Sequence, residues 1–323
     1  MKLFRRTFLA TAAAATLALG MAPTAQAQSN YPDKTVKLVV WAGTGGALDA
    51  YGRELARLLE EKAGWETTVE NRPGGSGAVG VATIMAQPAD GYHLLILTGT
   101  LTFGIAQGLI PFEIDDLRLL RAMQSEPSSL AVAEDSELTS VNDFVDYMKA
   151  NPNGLRVGGH APAGFHQYVL YQLMQEAGFE SGWIPHDASG KVPLALLGDH
   201  IDAAFMTPSS GLSQVTSGDV KLLGITSEER SEYFPDLPTF GEQGFDIVDS
   251  VWRGVAVKAG TPDDVVAEIQ SALDKVTASD EWKQFQENRK QNSPDLKEEA
   301  FTEMAKGQLE GQRQFLKDAG ILE

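Results

Sequence analysis

Short apolar runs alternate with amphipathic stretches along most of the chain. Residues 35–41 form an apolar run rich in β-branched side chains, which is typical of a strand buried inside a parallel sheet. Leu48, Tyr51, Leu55 and Leu58 then recur at helical spacing. Similar pairs follow as far as the apolar run at residues 251–257, after which amphipathic helical stretches continue to the C-terminus. The pattern therefore predicts an α/β fold in which strands and helices alternate.

Loops of small residues follow several of these apolar runs. They come after residues 35–41, 92–98, 155–158 and 201–206, and they are rich in Gly, Ser and Thr. Ligands bind at the carboxyl ends of strands in an open α/β sheet, and the N–H groups at helix N-termini favour anions. A phosphate and a carboxylate would both suit such loops, and similar turns also occur where nothing binds. The first loop has neither G-x-G-x-x-G nor the Lys and Ser/Thr of a P-loop, which disfavours a nucleotide.

The pattern is interrupted near the middle of the chain. Glu126-Pro127-Ser128 separates the strand predicted at residues 117–123 from the next one, after which the strand–loop–helix pattern repeats. Residues 251–257 then predict a strand that returns to the first half. We expect two α/β lobes joined by crossing strands, with a ligand cleft between them. The predicted bounds are residues 1–27 for an export signal, 28–126 and 250–323 for the first domain, and 127–249 for the second.

The N-terminus has the three parts of a secretory signal peptide. Residues 1–6 are basic, residues 8–21 are apolar and rich in alanine, and Ala25-Gln26-Ala27 is a small-x-small cleavage site. Arg5-Arg6 also suits a twin-arginine signal, so Sec and Tat export both stay open. No later segment reaches 18 apolar residues. We expect an exported protein of the bacterial periplasm.

The composition offers little catalytic chemistry. The chain has no cysteine, which excludes disulfides and thiolate metal sites, and its five histidines form no compact metal-binding spacing. No G-x-S-x-G segment is present to expose a nucleophilic serine. A periplasmic hydrolase that uses Ser209, Ser210 or His160 is the minor alternative, because no partner base can be named. We expect no enzyme activity, no cofactor and no metal.

The net charge restricts the partners of the protein. The formal charge is −18 at pH 7, so the general field of the protein repels nucleic acids and anionic membrane surfaces. An acidic protein that binds an anion must use local donors, such as backbone N–H groups. Together with the loops and the export signal, these features favour a binding protein over an enzyme.

Several short segments resemble one known family. They are Tyr31-Pro32-Asp33-Lys34, Gly45-Gly46 with Asp49, Glu70-Asn71-Arg72-Pro73-Gly74-Gly75-Ser76-Gly77 and Asp90-Gly91-Tyr92, with weaker matches at residues 198–202, 237–239 and 259–262. The pattern is similar to that of the periplasmic solute receptors of tripartite tricarboxylate transporters, which are also called Bug or TctC-like receptors. The resemblance covers nearly the whole chain after the signal peptide.

This resemblance implies a type II periplasmic binding protein of two α/β lobes that close on a small mono- or dicarboxylate. It implies that backbone amides of residues 41–49 and 98–102 in the first lobe hold one carboxylate. Ligand-specific contacts would come from residues 159–166, 186–191 and 206–210 of the second lobe. The expected ligand-binding residues are Trp41, Ala42, Thr44, Gly45, Gly46, Asp49, Thr98, Thr100, Thr102, His160, Gly164, His166, His186, Lys191, Thr207 and Ser209.

The resemblance also implies partners. These are a small organic carboxylate and the membrane permease subunits of a tripartite carboxylate transporter, and we expect the receptor to be a monomer. A ligand sensor for a membrane signalling protein is the alternative, which the sequence does not separate from transport. The first loop departs from the family's usual Pro-Phe-Pro-Pro-Gly-Gly-x-Thr-Asp, because Ala42 replaces the aromatic residue and Leu48 replaces the threonine. The lost ring predicts a bulkier or differently shaped solute.

Overall fold

The computed structural model describes residues 31–322, and the predicted export signal at residues 1–27 lies outside them. The strands in this part of the chain are β1 (Val36–Val40), β2 (Thr67–Asn71), β3 (His93–Thr98), β4 (Leu117–Pro127), β5 (Ser129–Ala133), β6 (Val157–His160), β7 (Ile184–His186), β8 (Ala203–Met206), β9 (Val220–Ile225), β10 (Ser250–Lys258) and β11 (Leu296–Lys297).

Most α-helices of the described residues lie between these strands in the sequence. They are α1 (Ala47–Leu58), α2 (Ala78–Met85), α3 (Thr100–Ala106), α4 (Val141–Ala150), α5 (Phe165–Ala177), α6 (Val192–Leu197), α7 (Leu212–Ser217), α8 (Asp263–Ala278), α9 (Asp280–Glu287) and α10 (Glu298–Asp318). Helix α1 continues into a π-helical turn, Leu59–Ala63, that ends at Gly64 in the left-handed conformation. None of the helices described is both long and apolar enough to cross a membrane.

The first sheet has the strand order β11-β4-β10-β3-β1-β2. Strand β1 pairs in parallel with β2 and β3, whereas β10 is antiparallel to both β3 and β4. Strands β1 and β3 are buried almost throughout, as their continuous apolar sequences predict. The carboxyl ends of β1 and β3 lie at the same edge of the sheet, which brings the loops after them together.

The second sheet has the strand order β7-β6-β8-β5-β9. Strand β6 is parallel to β7 and β8, whereas β5 is antiparallel to β8 and β9. Phe144 of α4, Val169 of α5 and Phe205 of β8 belong to its buried core. The alternation of strands and helices confirms the predicted α/β class, and we call each sheet with its helices a lobe.

The chain passes from the first sheet to the second between Pro127 of β4 and Ser129 of β5, and returns at Ser250 of β10. The two crossing strands β4 and β10 pair along their whole length, from Ser250 opposite Pro127 to Lys258 opposite Leu117. The sequence prediction that the strand ends at residue 123 was wrong, because β4 continues as far as Pro127. The domain bounds stay a prediction.

Candidate functional site

A cleft of about 880 Å³ lies between loops of the first and second lobes. Eight of the expected ligand-binding residues line it, namely Trp41, Thr98, Thr100, His160, Gly164, His166, Thr207 and Ser209. The other eight do not line it, namely Ala42, Thr44, Gly45, Gly46, Asp49, Thr102, His186 and Lys191. The sequence therefore located the loops of the cleft better than the individual side chains.

The carboxylate of Asp49, in the first turn of α1, holds the loop after β1. Gly45 has a φ of +83°, and its N–H donates to Oδ2 of Asp49 over 2.8 Å. Asp49 also accepts from Nε of Arg53 and from Nδ2 of Asn71, each over 2.9 Å. These donors, Arg53 foremost, lower the pKa of the Asp49 carboxyl to about 2. Asp49 is thus a buried anchor of the loop rather than a residue that faces the cleft.

Trp41 lies at the first-lobe wall of the cleft because a glycine makes room for it. A Cβ at Gly80 of α2 would lie 2.7 Å from Cβ of Trp41. Ala47 and Leu48, the first two residues of α1, also line the cleft. Gly46 caps this helix with extended backbone, and no side chain of the described residues caps it. The cleft thus meets the N-terminal end of α1, where backbone N–H groups are available.

The loop predicted after β3 is a helix from its third residue onward. Thr100 begins α3 and lines the cleft, and its N–H donates to Oγ1 of Thr98 over 3.2 Å. Thr102 is fully buried, and its hydroxyl donates to the carbonyl oxygen of Gly99 over 2.7 Å. Because α3 starts so early, Thr102 points into the core and Phe103 takes the neighbouring place on the cleft wall.

In the second lobe, the segment after β6 leads into α5. Gly164 is the N-cap of α5, and His166 is 6% exposed at its second position. Nδ1 of His166 lies 2.8 Å from Oγ of Ser128, the residue between the two sheets. Burial lowers the pKa of His166 to about 3, so its ring is neutral at pH 7. His160 is exposed at the cleft, and partial burial lowers its pKa below the ordinary range as well.

Two expected residues of the second lobe have other partners. Lys191 forms an ion pair with Asp187 over 2.8 Å at the exposed i, i+4 positions of a turn. The carbonyl oxygen of His186 accepts from the N–H of Ala161 over 2.9 Å, which ties the two loops together. Neither residue lines the cleft, whereas Ser189 and Gly190 of the same segment do.

Ser209 and Glu126 join the two lobes. The N–H and the hydroxyl of Ser209 each donate to the Glu126 carboxylate over 2.7 Å. Gln291 donates to the same carboxylate over 3.0 Å from the first lobe. Glu126 is 3% exposed, and burial raises its pKa above the ordinary range. Sequence reasoning missed Glu126, because it was interpreted as a break in the pattern rather than as the end of a strand.

Arg253 is the second residue of the cleft that sequence reasoning missed. It lies on β10 opposite Gln124 of β4, and its Nη1 donates to Oε1 of Gln124. Gln124 donates in turn to Gln286, and Gln286 donates to the carbonyl oxygen of Met123 over 3.0 Å. The one available signal was an arginine within a predicted strand, where apolar residues are the rule.

Within residues 31–322 no group of three or more His, Asp or Glu side chains could hold a metal ion. Ser210 shares a hydrogen bond of 2.5 Å with Thr207, and Ser209 donates to an acid rather than to a base. The residues of the minor hydrolase alternative thus do not form a nucleophile and base pair.

The family model described as "Tripartite tricarboxylate transporter family receptor", TctC, matches residues 52–321. The chain belongs to the TctC family. A relative from Cupriavidus necator, the "UPF0065 protein in gbd 5'region", is 30% identical over 276 residues, which cover 84% of each chain. Protein BugT of Bordetella pertussis is 28% identical over 255 residues, 77% of this chain and 78% of that one. This is a family of solute receptors and not of enzymes.

Two solved structures share the fold of this TctC receptor. A TctC solute-binding protein from Polaromonas, determined with no ligand, has a TM-score of 0.83 and 25% identity, and the match covers 89% of this chain and 99% of that chain. An R. palustris protein determined with adipate has a TM-score of 0.72 and 22% identity, over 90% of this chain and 99% of that chain. The two-lobed periplasmic binding protein fold predicted from the sequence is therefore confirmed.

Proposed function

We propose that this TctC receptor captures a small organic carboxylate in the cleft between its lobes, in the periplasm. The observation that carries the proposal is the composition of the cleft wall. Neutral hydroxyl and amide groups from both lobes surround it, and Arg253 is the one Lys or Arg side chain among its lining residues. Local donors of this kind bind an anion despite the acidic surface of the protein.

Binding by both lobes gives a physical reason for closure. A ligand that contacts the first lobe and the second lobe at once stabilises the closed arrangement more than the open one, and only this difference shifts the equilibrium. We further propose that the closed receptor delivers its solute to the permease subunits of a tripartite carboxylate transporter. The family description supports this step, whereas the identity of the permease is a matter for experiment.

A thermal-shift panel tests the capture of a carboxylate. The acids are adipate, which the R. palustris structure of this fold contains, together with hexanoate, benzoate and amino-carboxylates. The matched controls are adipamide, hexanamide and benzamide, which keep the shape and lose the charge. At a hundredfold excess over Kd, a ligand stabilises the folded state by about 2.7 kcal/mol, which raises Tm by several degrees.

We expect at least one acid to raise Tm while its amide does not. Equal shifts for acids and amides, or no shift for any acid, would contradict the proposed function. Delivery is tested separately by deleting the receptor gene, which should abolish uptake of the same acid. Uptake that continues while a transcriptional response to the acid is lost would contradict delivery.

A further inference from the structure

The crossing strands place one acidic residue and one basic residue on the same face, towards the cleft. Strand β10 pairs antiparallel with β4, so that Val251 lies opposite Glu126 and Arg253 lies opposite Gln124. Residues two apart on a strand share a face, and so do residues directly opposite each other. Glu126 and Arg253 are therefore diagonal neighbours, with Cβ atoms roughly 7 Å apart in ordinary antiparallel geometry. Both side chains line the cleft.

The guanidinium of Arg253 is held in place, and the charge of Glu126 favours it only from a distance. One of its N–H groups donates to Gln124, which is 1% exposed and is itself fixed by Gln286. Within residues 31–322, no Asp or Glu side chain forms an ion pair with Arg253. Burial lowers its pKa, although the charge of Glu126 on the same face favours the charged form. An anion that entered the cleft would give this guanidinium a negative charge in direct contact.

Glu126 has the complementary deficiency. Its three donors are a backbone N–H, a hydroxyl and an amide, and none of them is charged. Oε1 accepts from a single group, the N–H of Ser209, and so keeps one acceptor position. The histidines of the cleft do not compensate this charge, because the pKa of both His160 and His166 is lowered. The cleft therefore offers one cation and one anion, separated across a single face.

The geometry points to a zwitterionic ligand, an amino-carboxylate whose carboxylate pairs with Arg253 and whose ammonium group lies towards Glu126. This inference rests on the proposed function and narrows it to one class of carboxylate. A dicarboxylate satisfies Arg253 but brings its second negative charge near Glu126, where like charges repel. A plain monocarboxylate satisfies only one of the two residues. Arg253 and Glu126 are thus residues that determine specificity.

Isothermal titration calorimetry with matched acids tests this assignment. The first set is 6-aminohexanoate, hexanoate and adipate, which share a six-carbon chain and differ at one end. The second set is leucine and 4-methylpentanoate, in which the ammonium group is next to the carboxylate or absent. We expect one amino acid to bind more tightly than its deamino partner by about tenfold, and adipate to bind more weakly than hexanoate.

Two substitutions separate the two charges. Arg253→Gln should weaken every acid that binds by about tenfold to a hundredfold, because a charge-assisted hydrogen bond is lost. Glu126→Gln should weaken only the amino acid and should strengthen adipate. Arg57→Gln and Glu61→Gln are the matched controls, because they make the same charge changes at an exposed pair on the surface of the first lobe, outside the cleft. Circular dichroism and Tm measurements identify any variant that fails to fold, and Arg253→Met, which also removes the charge, then replaces Arg253→Gln.

The outcomes distinguish this inference from the proposed function. If the acids bind but neither amino acid exceeds its deamino partner, or if Glu126→Gln leaves the preference unchanged, the zwitterion assignment is overturned and the carboxylate receptor stands. If Arg253→Gln binds all acids as the wild type does, Arg253 is not the charge partner. If no acid binds to the wild type in calorimetry or in the thermal-shift panel, the proposed function itself fails.

Discussion

The loop after β1 and the crossing strands each contain a buried carboxylate that accepts three hydrogen bonds, yet the two pKa values are shifted in opposite directions. In the loop, Gly45, Arg53 and Asn71 donate to Asp49, and its pKa falls to about 2. At the crossing strands, Ser209 and Gln291 donate to Glu126, and its pKa rises. Desolvation by burial is the largest effect on Glu126, whereas the hydrogen bond from Arg53, the one charged donor in the two sets, is the largest effect on Asp49.

The comparison shows how to separate a structural acid from one that is free to recognise a ligand. A carboxylate that forms an ion pair within the protein has its charge compensated, and it stabilises the loop that it contacts. A buried carboxylate that accepts from neutral donors alone is opposed by desolvation and can still gain from a cation that contacts it. Asp249, which precedes β10, resembles the second case, since burial raises its pKa to about 6 although Gln172, Gln308 and Ser250 donate to it.

The largest effect that sharpens this comparison is the pH dependence that Asp249 contributes. Because its folded-state pKa lies above its ordinary value, its contribution to stability is complete below pH 4 and is lost as the pH rises through about 6. A shift of two units corresponds to roughly 3 kcal/mol. The free energy of unfolding of Asp249→Asn, relative to wild type, should therefore increase by about that amount from pH 4 to pH 7. Urea titrations at each pH measure it, with exposed Asp246→Asn as the control for net charge. A constant difference between Asp249→Asn and wild type across this range would contradict the prediction.

The next effect concerns the acid with its own cation. Asp49→Ala removes the acceptor of three hydrogen bonds and should lower the free energy of unfolding by about 2 kcal/mol at pH 7. The folded-state pKa of Asp49 is below its ordinary value, so its contribution is present above about pH 4 and lost as the pH falls towards 2. Chemical denaturation measures both, and exposed Asp135→Ala is the control. A loss no greater than that of the control would show that Asp49 does not anchor the loop.

A smaller effect tests the bridge between the lobes. Ser209→Ala removes the hydroxyl that donates to Glu126 and keeps the backbone N–H that also donates. We expect the free energy of unfolding to fall by about 1.5 kcal/mol, since hydrogen bonds to a charged group are stronger than neutral ones. Ser213→Ala, at an exposed position of α7, is the matched control and should cost less than about 0.5 kcal/mol. Equal losses for both variants would mean that the bridge does not stabilise the protein.

The smallest effect isolates the cation itself. Arg53→Gln leaves Asp49 with neutral donors only, as Glu126 has. The pKa of the Asp49 carboxyl should therefore rise. By linkage the stability that Arg53 provides through Asp49 is present at pH 7 and absent near pH 2, so Arg53→Gln should lower the free energy of unfolding at pH 7 and leave it nearly unchanged at pH 2. The loss at pH 7 should be below about 1 kcal/mol, because Arg53 is exposed. An acid denaturation curve that coincides with that of the wild type would break the comparison.

Most of the fold could be predicted from the sequence, because buried parallel strands require continuous apolar runs. Strands β1 and β3 were each predicted to within one or two residues. The end of β4 was the main error, since Gln124, Ser125 and Glu126 carry no apolar pattern. They form a strand because β10 pairs with them, and a pairing partner more than 100 residues away is not visible in local sequence.

A similar limit explains why half of the expected residues line the cleft, whereas its two charged residues, Glu126 and Arg253, could not be predicted. The loops of Gly, Ser and Thr that follow the strands correctly indicated which end of each lobe faces the cleft. Thr98, His166 and Ser209 do line it. The direction of a side chain depends on where a helix begins, as Thr102 shows, or on the register of a sheet, as Arg253 shows. Neither is fixed by composition.

The most direct test of the central claim is native mass spectrometry of the receptor purified from the periplasm, followed by denaturation to release any bound solute. The account predicts one organic acid per protein, with an amino group on the same molecule, and it predicts that Arg253→Gln purified in the same way carries less of it. A stoichiometric solute without a carboxylate would contradict the account.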